Sequence, residues 1–452
     1  MTTFPADAPA PLREARERIH ARNAGLPTFL QAVDEVFADL APLVAQQPDL
    51  VAHALLDRLA EPERVLTFRV PWTDDAGRVH VQRGYRVQFN GALGPYKGGL
   101  RFHPSVTLDT VTFLAFEQTF KNALTGLPLG SGKGGADFDP KGRSDAEVMR
   151  FAQSFMTELH RHLGDDVDVP AGDVGVGARE IGYLFGQYKR LAGRFEAGVL
   201  TGKPPAWAGL AGRASATGYG LAYFAERMMD ARGGTLEGRT CVVSGAGNVA
   251  RYAARKLAAF GAHVVACSDS TGRVHDPAGL DVDLLDAVKD ERREGLAAYA
   301  DARPGATFTA DATVWDVPCD AAFPCATENE LDAGDAKALI AHGVTLVAEG
   351  ANMPCTPGAV DAFREAGVAY GPGKAANAGG VATSGLEMRQ NARFETWTED
   401  RTDEGLRDVM AHVHAACTEA ARRIGRPGDL AAGANVAGFE RVAGAMHDQG
   451  VV

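Results

Sequence analysis

The stretch TCVVSGAGNVARYAARKLAAFGAHVVACSD, residues 240–269, sets the architecture. "TCVVSG" is a short β-branched run and predicts a buried strand. "NVARYAARKLAAFG" spaces its apolar residues as a helix does and closes on Gly261. "AHVVACSD" predicts a second strand. Strand, tight turn, helix and strand form the βαβ unit of a parallel sheet. Gly245, Gly247 and Ala250 fill the pattern G-x-G-x-x-[GA] at the turn. The first glycine permits the turn and the second lets a pyrophosphate reach the backbone. Ala250 keeps the helix close to the strand. The helix start then offers N–H donors and a positive dipole end to phosphate.

Working outward, "CDAAFPCA" (319–326) and "VTLVAEGAN" (344–352) repeat the apolar run followed by a turn, so a parallel, doubly wound sheet is expected. From about "VATSGLEM" onward the chain reads as helical, as do residues 1–60. Between them, "RVLTFRVPWTDDAGRVHVQRGYRVQFNG" (64–91) alternates apolar and polar residues around Asp-Asp-Ala-Gly, which predicts strand, turn, strand. "SDAEVMRFAQSFMTELHRHLG" opens on a capping box, Ser144 with Glu147, and carries the apolar stripe Val148, Phe151, Phe155, Leu159, Leu163.

At 452 residues the chain exceeds what one core usually organises. A net charge of −12 argues against nucleic acid or an anionic membrane as partner. The first twenty residues lack the apolar centre of a signal peptide, and no apolar run is long enough to cross a bilayer. Six scattered cysteines without a C-x-x-C pair fit reduced thiols in a cytoplasm. The pairs "HRH" (160–162) and "HVH" (412–414) diverge on a helix, so surface histidines are expected there and no metal site.

"LPLGSGKGGADFDP" (127–140) sets Lys133 among glycines. A phosphate-binding P-loop fails on spacing and on the missing Ser/Thr after the lysine. Lys97 precedes paired glycines in "GPYKGGLRFHP", and Lys121 follows Gln118 in "EQTFKNALTG". Three such lysines within 37 residues predict one anionic pocket. Their mutual repulsion favours a neutral amine on the most desolvated one, which can then act as a base. Asp173, in "VPAGDVGVGARE", would complete an acid–base pair. For the cofactor, Asp269 ends the second strand and would suit a ribose hydroxyl, as in NAD. Ser268 and Ser270 flank it, and Lys289 and Arg292, one helical turn apart, could clamp an extra phosphate. On residues alone both cofactors stay open.

These motifs, with "FEQTFKNALTGLPLGSGKGGADFDP", "PAGDVGVGARE", "SGAGNVA", "VAEGANMP" and "KAANAGGVATSGLEM", resemble the hexameric glutamate dehydrogenases, more closely their bacterial NADP-type branch, from about residue 60 to the end. The resemblance implies an α/β protein of two domains: a substrate and oligomerisation domain (1–205), a Rossmann-type domain (206–378), and a helical segment (379–452) returning to the first, with the active site in the cleft between domains. It implies Lys133 and Asp173 as catalytic. Lys121, Gln118 and the backbone of Gly172 would hold the α-carboxylate, and Lys97 with Ser384 the distal one. Thr217, Asn248 and Val249, beside Gly245 and Gly247, would contact the dinucleotide. Asn352 and Asn377 would face the nicotinamide–substrate region. Ser268, Asp269, Ser270, Lys289 and Arg292 match the NADP-type pattern, so NADP is expected over NAD. The segment between Gly279 and Lys289 is a few residues shorter than is common in that branch. The implied reaction is reversible oxidative deamination of L-glutamate to 2-oxoglutarate and ammonia by a cytoplasmic homohexamer. The alternatives are a branched-chain or aromatic amino-acid dehydrogenase, or a non-catalytic nucleotide-sensing subunit.

Overall fold

A computed structural model describes residues 4–452. It divides into two compact units, each built from more than one stretch of chain.

One unit comprises the chain up to Arg213, Val381–Thr402 and Asn435–Val452. Its sheet holds β1 (Arg64–Thr73), β2 (Val79–Asn90), β3 (Tyr96–Phe102), β4 (Ser131–Ala136) and β5 (Asp168–Gly172) in the order β1-β2-β4-β3-β5. The hairpin expected over 64–91 is β1 with β2, antiparallel, and β4 and β5 flank β3 in parallel. The helix Asp145–Leu159 carries the expected capping box, and its stripe is buried against Trp72, Phe102 and Phe138. Phe138 and Phe151 stack with ring centroids 3.8 Å apart. Beneath β3, a fully buried ion pair joins Arg86 of β2 to Asp168 of β5; Arg86 Nε lies 2.9 Å from Asp168 Oδ2.

The other unit comprises Ala214–Gly380 and Asp403–Ala434. Its strands are β6 (Thr240–Val243), β7 (His263–Asp269), β8 (Gly272–His275), β9 (Thr307–Ala310), β10 (Ala321–Phe323), β11 (Leu346–Ala348) and β12 (Ala369–Gly371), in the order β12-β11-β10-β6-β7-β8-β9. The five from β12 to β7 are parallel, as expected. The sheet departs from all-parallel at one edge, where β8 and β9 run antiparallel. "GRVH" is too short to betray itself by alternation, and Gly272, at φ +149°, turns the chain straight back along β7. The chain order reverses at β6, between β10 and β7, which is where a doubly wound sheet binds its ligand.

The C-terminal helices are Gly379–Ala392, Glu399–Arg423 and Leu430–Asp448. Residues 403–434 cluster with the seven-stranded unit, against the expected return of the whole segment 379–452 to the first domain. Their anchors are long-range: Asp403 accepts from Tyr223 Oη at 2.6 Å and Lys256 Nζ at 3.1 Å. His414, expected at the surface, is buried against the Phe224 ring. The helix turns Val413 and His414 inward together, and His412 outward. All six cysteines are buried, unpaired thiols. Among the described residues no helix is long and apolar enough to cross a membrane, and no His/Cys/Asp/Glu group is placed to hold a metal.

Candidate active site

In the five-stranded unit, three neighbouring strands deliver the predicted residues. Lys97 is the second residue of β3, Lys133 lies in β4, and Asp173 follows the end of β5. Along a strand alternate residues share a face, so Lys97, Gly99 and Arg101 project together. Lys133 Nζ sits 3.3 Å from Asp173 Oδ1, and Arg101 Nε donates to Asp173 Oδ2 at 2.7 Å. Burial pushes the Asp173 carboxyl up, but Lys133 and Arg101 together outweigh it and hold it down at about 2. Burial lowers the Lys133 amine; Asp173 pulls it up, and the cations of Arg101 and Arg86 push it down again. The glycine after glycine now has a reason. A Cβ on Gly99 would stand 2.8 Å from Asp173 Cβ and 3.3 Å from Lys133 Nζ, so any side chain there would displace the pair.

Lys97 is 1% exposed. Its Nζ donates to the Val169 carbonyl and to Thr201 Oγ1, each at 2.9 Å. Burial holds this amine well below the ordinary lysine value, helped by the nearby cations of Arg86 and Arg213 and opposed by Glu387 and Asp168. On the helix Leu108–Leu124, Gln118, Lys121 and Asn122 share one face. Gln118 Nε2 donates to Asn122 Oδ1 at 2.6 Å, and Asn122 Nδ2 donates to the Lys97 carbonyl at 3.0 Å. Gly172, the last residue of β5, pairs with Leu100.

Ser384 is buried on the helix Gly379–Ala392, one turn before Glu387. Glu387 accepts from Lys203 Nζ at 2.6 Å and from the Gly202 N–H at 2.9 Å. The helix of Ser384 is thereby fixed to the segment that carries Thr201. Both side chains of the Lys203–Glu387 pair are fully buried. Glu387→Gln leaves the lysine without its counter-charge and is expected to cost about 3–5 kcal/mol of stability, read from the denaturant midpoint.

The seven-stranded unit carries the predicted cofactor residues. Gly245, two residues past β6, has φ +82°, and a Cβ there would meet Ala326, beyond β10, at 3.2 Å. Gly247 caps the helix Asn248–Ala259 without a side-chain cap, and nothing lies within 4 Å of where its Cβ would be. Backbone N–H groups and open space therefore meet where a pyrophosphate needs both. Asn248 Nδ2 donates to the Ala214 carbonyl at 2.7 Å. Val249 packs against Gly350, and Thr217 lies beside Gly380. Asn377 Nδ2 donates to the Ala351 carbonyl at 2.8 Å and to Asn352 Oδ1 at 3.1 Å, leaving Asn377 Oδ1 a buried acceptor without a partner. Buried Glu349 ties together the two segments that carry these asparagines, accepting from Gly373 N at 2.6 Å and Cys355 N at 3.2 Å.

At the end of β7, Ser268 Oγ accepts from Gly245 N at 3.2 Å, and Ser270 is exposed. Asp269 is engaged on both oxygens: Oδ2 takes Lys289 Nζ at 2.8 Å, and Oδ1 takes Thr271 N at 2.9 Å and Thr271 Oγ1 at 2.6 Å. Lys289 balances the charge of this carboxylate, which lessens its repulsion of a 2′-phosphate. Lys289 and Arg292 do not sit on one α-helical face. Residues 287–291 wind as a wider π-turn, so Lys289 reaches Asp269 while Arg292 is exposed. The donor set fits NADP: an uncapped helix start for the pyrophosphate, an orphaned acceptor at Asn377 and a lysine beside Ser268–Ser270.

Arg101, Thr201, Asn122 and Glu349 escaped the sequence reading. Arg101 had a signal, the alternation that puts it on the face of Lys97; Thr201 had none, being 104 residues from its partner.

A doubly wound unit with a dinucleotide turn, together with a buried lysine–aspartate pair among further cations, defines a dinucleotide-dependent dehydrogenase of small anionic substrates. The chain belongs to the Glutamate/Leucine/Phenylalanine/Valine dehydrogenase family, which it matches over residues 208–450, with the family's dimerisation domain matched over 62–190. It is 52% identical to the NADP-specific glutamate dehydrogenase of Helicobacter pylori over 430 residues, 94% of this chain and 96% of that one. It is 50% identical to the NAD-specific glutamate dehydrogenase of Bacteroides fragilis over 437 residues, 96% and 98% of the two chains. The crystal structure of Plasmodium falciparum glutamate dehydrogenase matches with a TM-score of 0.96 at 46% identity, covering 100% of this chain and 98% of that one.

Proposed function

We propose that this chain is an NADP-dependent glutamate dehydrogenase that interconverts L-glutamate and water with 2-oxoglutarate and ammonia. The observation that carries the reading is the ion pair of Lys133 and Asp173 at 3.3 Å, shared with Arg101. We assign the five-stranded unit to the substrate and the seven-stranded unit to NADP, which when bound supplies the hydride chemistry. Lys97 with Ser384 would grip the distal carboxylate, and Lys121, Gln118 and the Gly172 backbone the α-carboxylate, so that the substrate is held at both ends. Asp173, ionised at neutral pH, takes the proton that the substrate ammonium gives up. Lys133, its basicity reduced by burial, activates water for attack on the iminium carbon and steadies the carbinolamine that follows. Arg101 keeps the carboxylate aimed between those two tasks.

The same chain is proposed to work in the cytoplasm as a homohexamer. An apolar edge supports association: Val65, Val79 and Val81, on the edge strand β1 and its neighbour β2, are 43%, 71% and 60% exposed. The test is reductive amination of 2-oxoglutarate with ammonium, followed by the absorbance of reduced nicotinamide, with NADPH and then NADH. A panel of glutamate, leucine and phenylalanine in the reverse direction separates this activity from a branched-chain or aromatic one. Turnover restricted to glutamate and favouring NADPH is expected; preference for leucine or phenylalanine, or no turnover at all, would reject it.

A further inference from the structure

The segment that presents Lys289 has a charge problem. Residues 281–294, DVDLLDAVKDERRE, hold six carboxylates against Lys289, Arg292 and Arg293. A site meant to read a phosphate is badly served by such a neighbourhood, since uncompensated like charge repels the ligand. The segment is also loosely wound: Arg292 N bonds to the Ala287 carbonyl and Glu294 N to the Val288 carbonyl, in place of a regular α-helical ladder.

Arg251 answers both difficulties. It lies in the first turn of the helix that the dinucleotide turn opens, three residues past Asn248, and is 7% exposed. Its guanidinium is bidentate on Asp290, with Nη1 to Oδ2 at 2.6 Å and Nη2 to Oδ1 at 2.7 Å. Nη1 also donates to Asp286 Oδ1. Asp286 precedes the π-turn and Asp290 lies within it, so one planar cation ties its start to its last turn. Arg255, one turn on, takes the remaining Asp286 oxygen at 2.7 Å and Asp283 at 2.8 Å.

We propose that Arg251 is the specificity-determining positioning residue of the cofactor site: by clamping Asp286 and Asp290 it holds Lys289 on Asp269 and withdraws two carboxylates from the region where a 2′-phosphate is read. The inference rests on the NADP reading above and deepens it. It also gives a physical reason why a half-identical relative can be NAD-specific: the phosphate-reading end depends on how a short acidic segment is neutralised, which few substitutions can alter.

The test uses two fragments, 2′,5′-ADP and ADP, titrated calorimetrically into the full chain, beside kcat/KM for NADPH and NADH. In the wild type, 2′,5′-ADP binds more tightly than ADP and NADPH is preferred. Equal binding and equal use would overturn the NADP reading, and the proposal with it. Arg251→Met is expected to weaken 2′,5′-ADP by roughly tenfold or more while ADP changes much less, and to lower the NADPH/NADH ratio in step. Adding Asp290→Asn to R251M recovers most of that loss, because the released charge is gone. If the wild type prefers NADPH but R251M weakens both fragments equally, or the second substitution recovers nothing, Arg251 is only a structural tie. Arg251→Lys, which keeps the charge without the bidentate grip, gives an intermediate ratio. A wild-type ratio in R251K overturns the proposal even where R251M fails to fold.

Discussion

Lys133→Ala is expected to lower turnover by roughly a thousandfold, the range in which a positioned acid–base group acts, while the affinity for NADPH stays near its wild-type value. The expectation follows from location. Lys133 belongs to the five-stranded unit and touches Asp173, whereas every residue assigned to NADP lies in the other unit. The pH dependence carries the sharper signature. Burial brings the amine below its ordinary 10.5. An amine accepts a proton only above its pKa, so deamination by the wild type should rise with pH through that lowered value and lose the limb below it. The alanine variant has no such group, and its residual rate should be flat over the same interval. Steady-state rates across pH, with NADPH binding followed by fluorescence, decide the matter; a variant retaining a tenth of wild-type turnover, or the same pH limb, would remove Lys133 from the chemistry.

Lys97→Leu should redirect the enzyme. In the proposed site an apolar substrate would leave the buried Lys97 amine with only Val169 and Thr201 as partners, where a dicarboxylate would satisfy it. Losing that charge-assisted contact is worth roughly 2–4 kcal/mol, so kcat/KM for glutamate should fall by about 30- to 1000-fold while that for leucine rises. Folding should not suffer, because a buried cation is exchanged for an apolar side chain of similar reach. The measured quantity is the ratio of kcat/KM for glutamate and leucine, with the denaturant midpoint as control. An unchanged ratio would assign the distal carboxylate to another residue.

Much of this was legible in the sequence where the signal is local. The glycine turn at 245–250, the hairpin over 64–91 and the Ser144–Glu147 cap each depend on neighbours within a few residues. What stayed hidden depends on partners far along the chain. Asp403 meets Tyr223 across 180 residues and Glu387 meets Lys203 across 184, and those contacts decide which unit each helix joins. Periodicity says that His414 has an inner or an outer face, but not that Phe224 waits on the inner one. Lys289 and Arg292 look like a pair at α-helical spacing, and the π-turn separates them. Arg101 is revealed by strand parity alone, and that parity needs β3 to be recognised first.

The six thiols end with a practical consequence. Cys241, Cys267, Cys319, Cys325, Cys355 and Cys417 all fall in the seven-stranded unit, and burial pushes the Cys267, Cys319 and Cys417 thiols up to about 12. Alkylating reagents need an accessible thiolate, so the native chain should be silent toward them. Any label that accumulates therefore times the breathing of one half of the molecule alone, against an internal background of zero from the other.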